Sequence, residues 1–197
     1  MKSHMESFKK PQQSSDSPLS WAVFISGFGS NLQALIDADP KIRIELVVSS
    51  RADAPGLERA KVAGIPTLIL AKSIDWIELS TTLTKLNIDR IFLAGFMKVV
   101  PSLFISNWTN RILNLHPSLL PAYKGLGAIE RSYKDNASMG VTVHWVTQDL
   151  DAGPILLQKE VLAAGRAQDF PFETVKELIH KTENQIVVDA VRRCQEC

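Results

Sequence analysis

Two polar residues at the end of an apolar run are the first candidates for chemistry. Asn114 and His116 follow Ile112 and Leu113, a run typical of a buried β-strand. Because side chains two residues apart on a strand point to the same face, the amide and the imidazole would share one site. Pro117 cannot donate a hydrogen bond to a neighbouring strand, so we expect the strand to end at His116, at the edge where open α/β sheets bind ligands. The position suits a catalytic pair. For an Asn-x-His pair in general, a buried histidine and asparagine that satisfy nearby backbone groups is the more usual interpretation, and the rest of the chain decides between the two.

Composition and charge restrict the partners of such a site. The chain has 197 residues, 45% of them apolar and 22% charged, which suits one soluble domain burying roughly 70% of its unfolded surface. The net charge is +1, and no basic cluster is interleaved with aromatic residues. We therefore expect small-molecule substrates and neither a nucleic acid nor a membrane partner. The sequence contains neither a long apolar run nor a signal peptide, so we expect a cytoplasmic protein. We also expect it to be a monomer or a homodimer.

Both ends of the chain lack a signal for function. Residues 1–19 are polar and show no period that could bury a face, which predicts a disordered tail before a single domain over residues 20–197. Cys194 and Cys197 form a C-x-x-C pair without a second pair and without the strand and turn of a redox motif. We interpret this spacing as chance and expect neither a metal site nor a disulfide framework.

A glycine loop near the start of the predicted domain is the second candidate site. The apolar run 21–25 is typical of a buried strand, Gly27 and Gly29 break it, and apolar residues at helical spacing follow from Leu32 onwards. Glycines let a ligand approach the backbone closely, and a helix N-terminus presents free N–H groups, so the loop suits a phosphate. The pattern is neither G-x-G-x-x-G nor a P-loop, and a plain tight turn with Ser30 as helix N-cap is the alternative.

Strands and helices alternate along much of the chain. Periodicity predicts further strands over residues 43–49, 67–70 and 90–94, and helices over residues 57–62, 74–86 and 101–108. This alternation predicts a parallel sheet with right-handed crossovers. Later strands over residues 141–146 and 154–161 are joined by a polar connection, 147–153, of the size that often lines a site, and a helix over residues 172–193 follows. The predicted fold class is α/β, a Rossmann-like, open, mostly parallel twisted sheet flanked by helices, with an antiparallel strand addition in the C-terminal half.

Four motifs occur together in one order. They are Ser-Gly-x-Gly-Ser-Asn-Leu-Gln at 26–33, Ala-Gly-Phe-Met at 94–97, Asn-Leu-His-Pro-Ser-Leu-Leu-Pro at 114–121 and Leu-Asp-Ala-Gly-Pro at 150–154. In this order and spacing the chain resembles the phosphoribosylglycinamide formyltransferase family. The resemblance implies that a formyl group moves from 10-formyltetrahydrofolate, as co-substrate, to the amino group of glycinamide ribonucleotide in de novo purine biosynthesis. Phe28 and Gly127 depart from the family's pattern, in which a small or polar residue and a histidine are usual.

The resemblance implies that Asn114, His116 and Asp151 are catalytic. Attack of an amine on a formyl carbon builds negative charge on the carbonyl oxygen, which the Asn114 amide and a protonated His116 can stabilise. Departure of the folate nitrogen requires a proton, a general-acid task suited to His116. Asp151 would favour the imidazolium and fix its orientation. The alternative for Asp151 is an ordinary turn aspartate before Ala-Gly-Pro.

The resemblance also implies two binding regions. Gly29, Ser30 and Asn31 match the phosphoribosyl-binding loop, and Glu183 matches a glutamate that meets the glycinamide amine, with a solvated helix charge as the alternative. The residues that match the folate pocket are Met97, Lys98, Val99, Val100, Asn114, Thr147, Gln148, Asp149, Leu150 and Asp151.

Structural interpretations compete at three further positions. Met97 could equally pack in the core, the commoner fate of an apolar residue after a strand. His144 lies in the strand before the polar connection, and we expect it to be structural. We expect His180 on the surface of the last helix.

Three other functions remain open. A formyltetrahydrofolate hydrolase would use the same Asn, His and Asp on water, but it usually carries a regulatory domain, for which residues 1–19 are too short. A methionyl-tRNA formyltransferase would need a basic RNA-binding domain after the position where this sequence stops. A non-catalytic Rossmann-type nucleotide-binding module would explain the glycine loop but not Asn114, His116 and Asp151 together.

Overall fold

The computed structural model describes residues 18–38 and 42–195 of the chain. The predicted tail, apart from Pro18 and Leu19, lies outside the described residues, and so does Cys197.

Strands and helices form in the predicted order. Within the described ranges the strands are β1 (Ser20–Ile25), β2 (Arg43–Ser49), β3 (Thr67–Ile69), β4 (Arg90–Leu93), β5 (Ile112–His116), β6 (Met139–Trp145) and β7 (Ile155–Leu162). The α-helices are α1 (Ser30–Ala38), α2 (Gly56–Val62), α3 (Trp76–Lys85), α4 (Ser102–Asn107), α5 (Ala128–Lys134) and α6 (Phe172–Gln195). The predicted strands and helices are confirmed, with boundaries within two residues of the expected ones.

These strands form one mixed sheet in the order β3-β2-β1-β4-β5-β6-β7. Strands β1 to β5 pair in parallel, whereas β6 is antiparallel to both β5 and β7. The predicted Rossmann-like class with its antiparallel addition is therefore confirmed. The strand order reverses between β1 and β4, and such a switch point leaves a crevice at the carboxyl ends of the two strands. The glycine loop follows β1 and residues 95–100 follow β4, so both predicted binding regions open at this crevice.

Both faces of the sheet are covered by helices. In β1, Trp21, Val23 and Ile25 pack in the core cluster that contains α1 and α6, while Ala22 and Phe24 pack in the cluster that contains α3 and α4. Successive side chains point to opposite faces, so an apolar strand of this kind is buried on both sides. This packing fixes the strand ends from which the site residues project. No described helix combines the length and the hydropathy of a membrane span.

Candidate active site

The polar residues of β5 meet an acidic residue from the connection between β6 and β7. His116 Nδ1 lies 3.4 Å from Asp151 Oδ2, and Asn114 Nδ2 lies 3.5 Å from Asp151 Oδ1. His116 and Asp151 are buried, and Asn114 is half-buried. The prediction that the amide and the imidazole share one site is confirmed, and Asp151 joins them there. Asp151 is therefore more than an isolated turn residue.

Asp151 is held as a carboxylate by its surroundings. Burial alone would raise its pKa, but contacts with His144, a hydrogen bond from the Gly125 N–H and the charge of His116 act in the opposite direction and lower the pKa to about 2. The Gly125 N–H donates to Asp151 Oδ2 at 2.8 Å. The carboxylate is therefore ionised at neutral pH and supplies a fixed negative charge beside His116.

Both ring nitrogens of His116 face oxygen acceptors. Nε2 lies 2.9 Å from the carbonyl oxygen of Tyr123, and Nδ1 lies 3.4 Å from the Asp151 carboxylate. A neutral imidazole carries a proton on only one nitrogen, whereas the imidazolium can donate from both. The arrangement thus accommodates the imidazolium, the form that can deliver a proton to a leaving group.

His144 belongs to the same cluster, which the sequence pattern did not indicate. Its Nε2 lies 3.1 Å from Asn114 Nδ2 and 3.6 Å from Asp151 Oδ1, and its Nδ1 lies 3.0 Å from the backbone oxygen of Trp145. In the antiparallel pairing of β5 with β6, Asn114 stands directly opposite His144, where side chains share one face of the sheet. The purely structural interpretation of His144 leaves out these contacts, which depend on the register of two strands and not on a local sequence pattern.

A cavity of about 490 Å³ opens beside the cluster. The predicted folate-binding segments, 97–100 and 147–151, both line it, together with Asn114 and His116. Met97 is 69% exposed, so the alternative that it packs in the core is wrong. A largely apolar cavity with a few convergent polar groups at one end is the usual form of a small-molecule site.

The glycine loop contains an unexpected constraint on Gly29. This residue has φ +72°, and a Cβ atom there would lie only 2.7 Å from the Cα atom of Gly56 at the start of α2. Gly29 is therefore required by the packing of the loop against α2, whatever ligand the loop binds. Ser30 begins α1 and is exposed, whereas Asn31 is buried. Asn31 Oδ1 has no hydrogen-bond partner among the described residues and is closed off from the surface.

A serine connects the two loops of the crevice. The hydroxyl of Ser26, at the end of β1, accepts a hydrogen bond from the Met97 N–H at 2.8 Å and lies 2.6 Å from the Ser50 hydroxyl after β2. Ser26 is buried. The glycine loop and the segment after β4 are thus held together by a direct contact.

Glu183 is buried on α6 rather than solvated. Its side chain is 9% exposed, and Oε2 lies 2.8 Å from His180 Nδ1. The alternative of a solvated helix charge is therefore wrong. His180 is about half exposed, as expected for the surface of the helix, and its hydrogen bond to Glu183 raises the pKa of the imidazole. Helix α6 packs against α1, the helix that begins at the glycine loop.

With this geometry established, comparison with known proteins shows the family. The family model described as Formyl transferase matches residues 19–191. The chain belongs to the formyl transferase family. It is thus a transferase, and the family uses a formyl-folate co-substrate.

Relatives of this formyl transferase are enzymes of purine biosynthesis. Phosphoribosylglycinamide formyltransferase of Escherichia coli (strain K12) is 43% identical over 159 residues, which cover 75% of this chain and 75% of that protein. The trifunctional purine biosynthetic protein adenosine-3 of Homo sapiens is 41% identical over 151 residues, 71% of this chain but only 15% of that much longer protein. The crystal structure of phosphoribosylglycinamide formyltransferase from Anaplasma phagocytophilum matches with a TM-score of 0.84 at 38% identity, covering 91% of this chain and 88% of that chain.

Proposed function

We propose that the protein transfers the formyl group of 10-formyltetrahydrofolate to the amino group of glycinamide ribonucleotide, a step of de novo purine biosynthesis. The observation that carries the proposal is the cluster of Asn114, His116 and Asp151, which lies at the end of β5 and faces the cavity. The similarity to enzymes named for this activity supports the choice of acceptor.

Each residue of the cluster has a separate role in the transfer. The acceptor amine attacks the formyl carbon, forming a new N–C bond while negative charge gathers on the formyl oxygen. The Asn114 amide donates to that oxygen in exchange for its long, 3.5 Å contact with Asp151. The His116 imidazolium donates from Nδ1, which lies 3.4 Å from Asp151, while Nε2 keeps its contact with the Tyr123 carbonyl oxygen. As the bond between the formyl carbon and N10 of the folate breaks, His116 gives N10 a proton, and the amine loses one to solvent. The ionised Asp151 lies 3.4 Å from His116 Nδ1 and fixes the orientation of the ring.

The binding roles follow from the two loops of the crevice. The folate lies between residues 97–100 and 147–151, where an apolar wall grips a flat heterocycle. The acceptor's phosphate lies at the start of α1, bound by Gly29 and Ser30. Asn31 belongs to the same loop, and Glu183 meets the amine of the acceptor.

The test is release of the deformylated folate in the presence of different acceptors. With glycinamide ribonucleotide we expect turnover at a rate typical of enzymes, on the order of 1–10³ s⁻¹. Without an amine, or with initiator methionyl-tRNA, the rate should stay close to background. Rapid release without any amine would identify a hydrolase, and turnover that requires methionyl-tRNA would identify the other formyltransferase. No release with any acceptor would favour a non-catalytic nucleotide-binding module.

Three expectations from the sequence stay predictions. They are the cytoplasmic location, the absence of a nucleic-acid partner, and a monomeric or homodimeric state. Light scattering of the purified protein measures the last of these directly.

A further inference from the structure

One loop, residues 123–127, contacts both members of the His116–Asp151 pair. The Tyr123 carbonyl oxygen lies 2.9 Å from His116 Nε2, and the Gly125 N–H donates to Asp151 Oδ2 at 2.8 Å. The side chain of Gly125's neighbour, Leu126, is exposed at the cavity. The positions of the imidazole and the carboxylate therefore depend on the backbone of this loop.

The loop adopts a conformation that its sequence does not favour on its own. Tyr123 has φ +55°, and Gly125 and Gly127 have φ +75° and +67°. The left-handed region is natural for glycine but costly for an aromatic residue. A conformation of this kind persists only where surrounding contacts hold it.

Those contacts come mainly from Arg131 on α5. Its Nη2 donates to the carbonyl oxygens of Tyr123 at 3.0 Å and Lys124 at 2.6 Å, and its Nε donates to that of Gly127 at 3.3 Å. The guanidinium also lies over the Tyr123 ring, 5.7 Å from its centroid. The Tyr123 hydroxyl in turn donates to Asp135 Oδ2 at 3.0 Å. The exposed side chain of Arg131 therefore donates hydrogen bonds to three carbonyl oxygens of the loop.

We propose that Arg131 is a positioning residue for formyl transfer, acting on His116 through the Tyr123 carbonyl. This inference rests on the proposed function for its catalytic readout. The Tyr123 oxygen accepts from His116 Nε2 and from Arg131 Nη2, so its two lone pairs are both used. With Arg131 in place, the carbonyl is aimed at His116 and the imidazole is fixed between Tyr123 and Asp151. Without it, the carbonyl turns to water and the imidazole loses one of its two fixed partners.

The first test compares Arg131→Met with Lys134→Met. Methionine keeps an unbranched apolar stem over the Tyr123 ring but removes every donor. Lys134 is an exposed cation on the same helix, outside the site, and serves as the matched control. We expect kcat of Arg131→Met to fall about tenfold, with both KM values within about twofold of wild type, because positioning is lost and binding is not. Arg131→Lys, which restores one donor, should recover part of the loss, and Lys134→Met should match wild type.

A second measurement separates positioning from a merely structural role. In ¹⁵N-labelled protein the ring signals of His116, assigned by their loss in His116→Ala, should shift in Arg131→Met and stay unchanged in Lys134→Met. A wild-type kcat with unchanged His116 signals in Arg131→Met would overturn the proposal. A second outcome would also overturn the proposal. In it, kcat falls only in proportion to the fraction of folded protein, measured by circular dichroism, and the His116 signals are unchanged. The ring signals need no substrate, so an inactive wild type would contradict the proposed function while the test of Arg131 continued.

Discussion

At the scale of single residues, the site contains the fixed negative charge of Asp151, which hydrogen-bond donors surround. Asp151 has a pKa of about 2 although it is buried, because the Gly125 N–H and two histidines outweigh the cost of burying its charge. The Asn-x-His pair and Asp151 were predictable from the sequence, since the strand period and the motif order place them. His144 was not, because nothing local indicates which residue of a distant strand will stand opposite Asn114.

The lowered pKa of Asp151 predicts a contribution to acid stability. Its ordinary value is 3.8 and its folded value about 2, so folding favours the ionised form, and the stabilisation is full above about pH 4 and lost as the pH falls through about 2. Between about pH 5 and pH 2 we expect the free energy of unfolding of wild type to fall by roughly 1–2 kcal/mol more than that of Asp151→Asn. Urea unfolding at a series of pH values measures both curves. Parallel curves would contradict the assigned pKa.

His144 is predicted to orient Asn114. Replacement of His144 with alanine removes the ring that contacts both Asn114 and Asp151, so the amide loses its fixed direction towards the formyl oxygen. We expect kcat to fall by about one to two powers of ten with small changes in either KM. Steady-state kinetics with each substrate varied in turn measures the effect. If kcat were unaltered, the structural interpretation of His144 would be sufficient.

At the scale of elements, hydrophobic periodicity predicted the strands and helices because each follows from local spacing. The loops were less predictable, since their conformation depends on contacts with distant parts of the chain. The glycine loop shows the difference. Its two glycines suggested space for a phosphate, but Gly29 also packs against Gly56 of α2, a contact between residues far apart in the sequence that no local pattern contains. The hydrogen bonds from Arg131 to the carbonyl oxygens of Tyr123 and Lys124 are a second example of a loop conformation that depends on a contact outside the loop.

The packing of Gly29 predicts different effects of two similar substitutions. Gly29→Ala places a Cβ 2.7 Å from the Gly56 Cα at a positive φ, whereas Gly27→Ala meets nothing within 4 Å. We expect Gly29→Ala to lower the free energy of unfolding by roughly 1–3 kcal/mol and to raise the KM for the acceptor more than that for the folate. Gly27→Ala should change stability by at most about 0.5 kcal/mol. Chemical denaturation and acceptor kinetics compare the two. Equal losses of stability would show that the contact with Gly56 is easily relieved.

At the scale of the whole molecule, one sheet brings the two candidate binding regions together. The strand order reverses between β1 and β4, so the glycine loop and residues 95–100 follow adjacent strands at the crevice. The contact between Ser26 and the Met97 N–H joins them. Strand β5 places the cluster beside them. The alternation of strands and helices predicted the parallel sheet and its crevice. The resemblance predicted that segments 97–100 and 147–151 share one pocket, and both line the cavity. The contribution of residues 125–128 was not predictable, since their approach depends on the packing of the complete fold.

In the proposed reaction, this cluster moves the formyl carbon directly to the acceptor amine. The measurement is a reaction of ¹³C-formyl-labelled 10-formyltetrahydrofolate with glycinamide ribonucleotide, followed by ¹³C NMR in wild type, His116→Ala and Asp151→Asn. We predict that wild type places the label on the glycinamide nitrogen, and that each variant does so at least roughly a hundredfold more slowly, because general-acid and oxyanion contributions both weaken. Labelled formate formed equally with and without the acceptor, or wild-type transfer in both variants, would contradict the account.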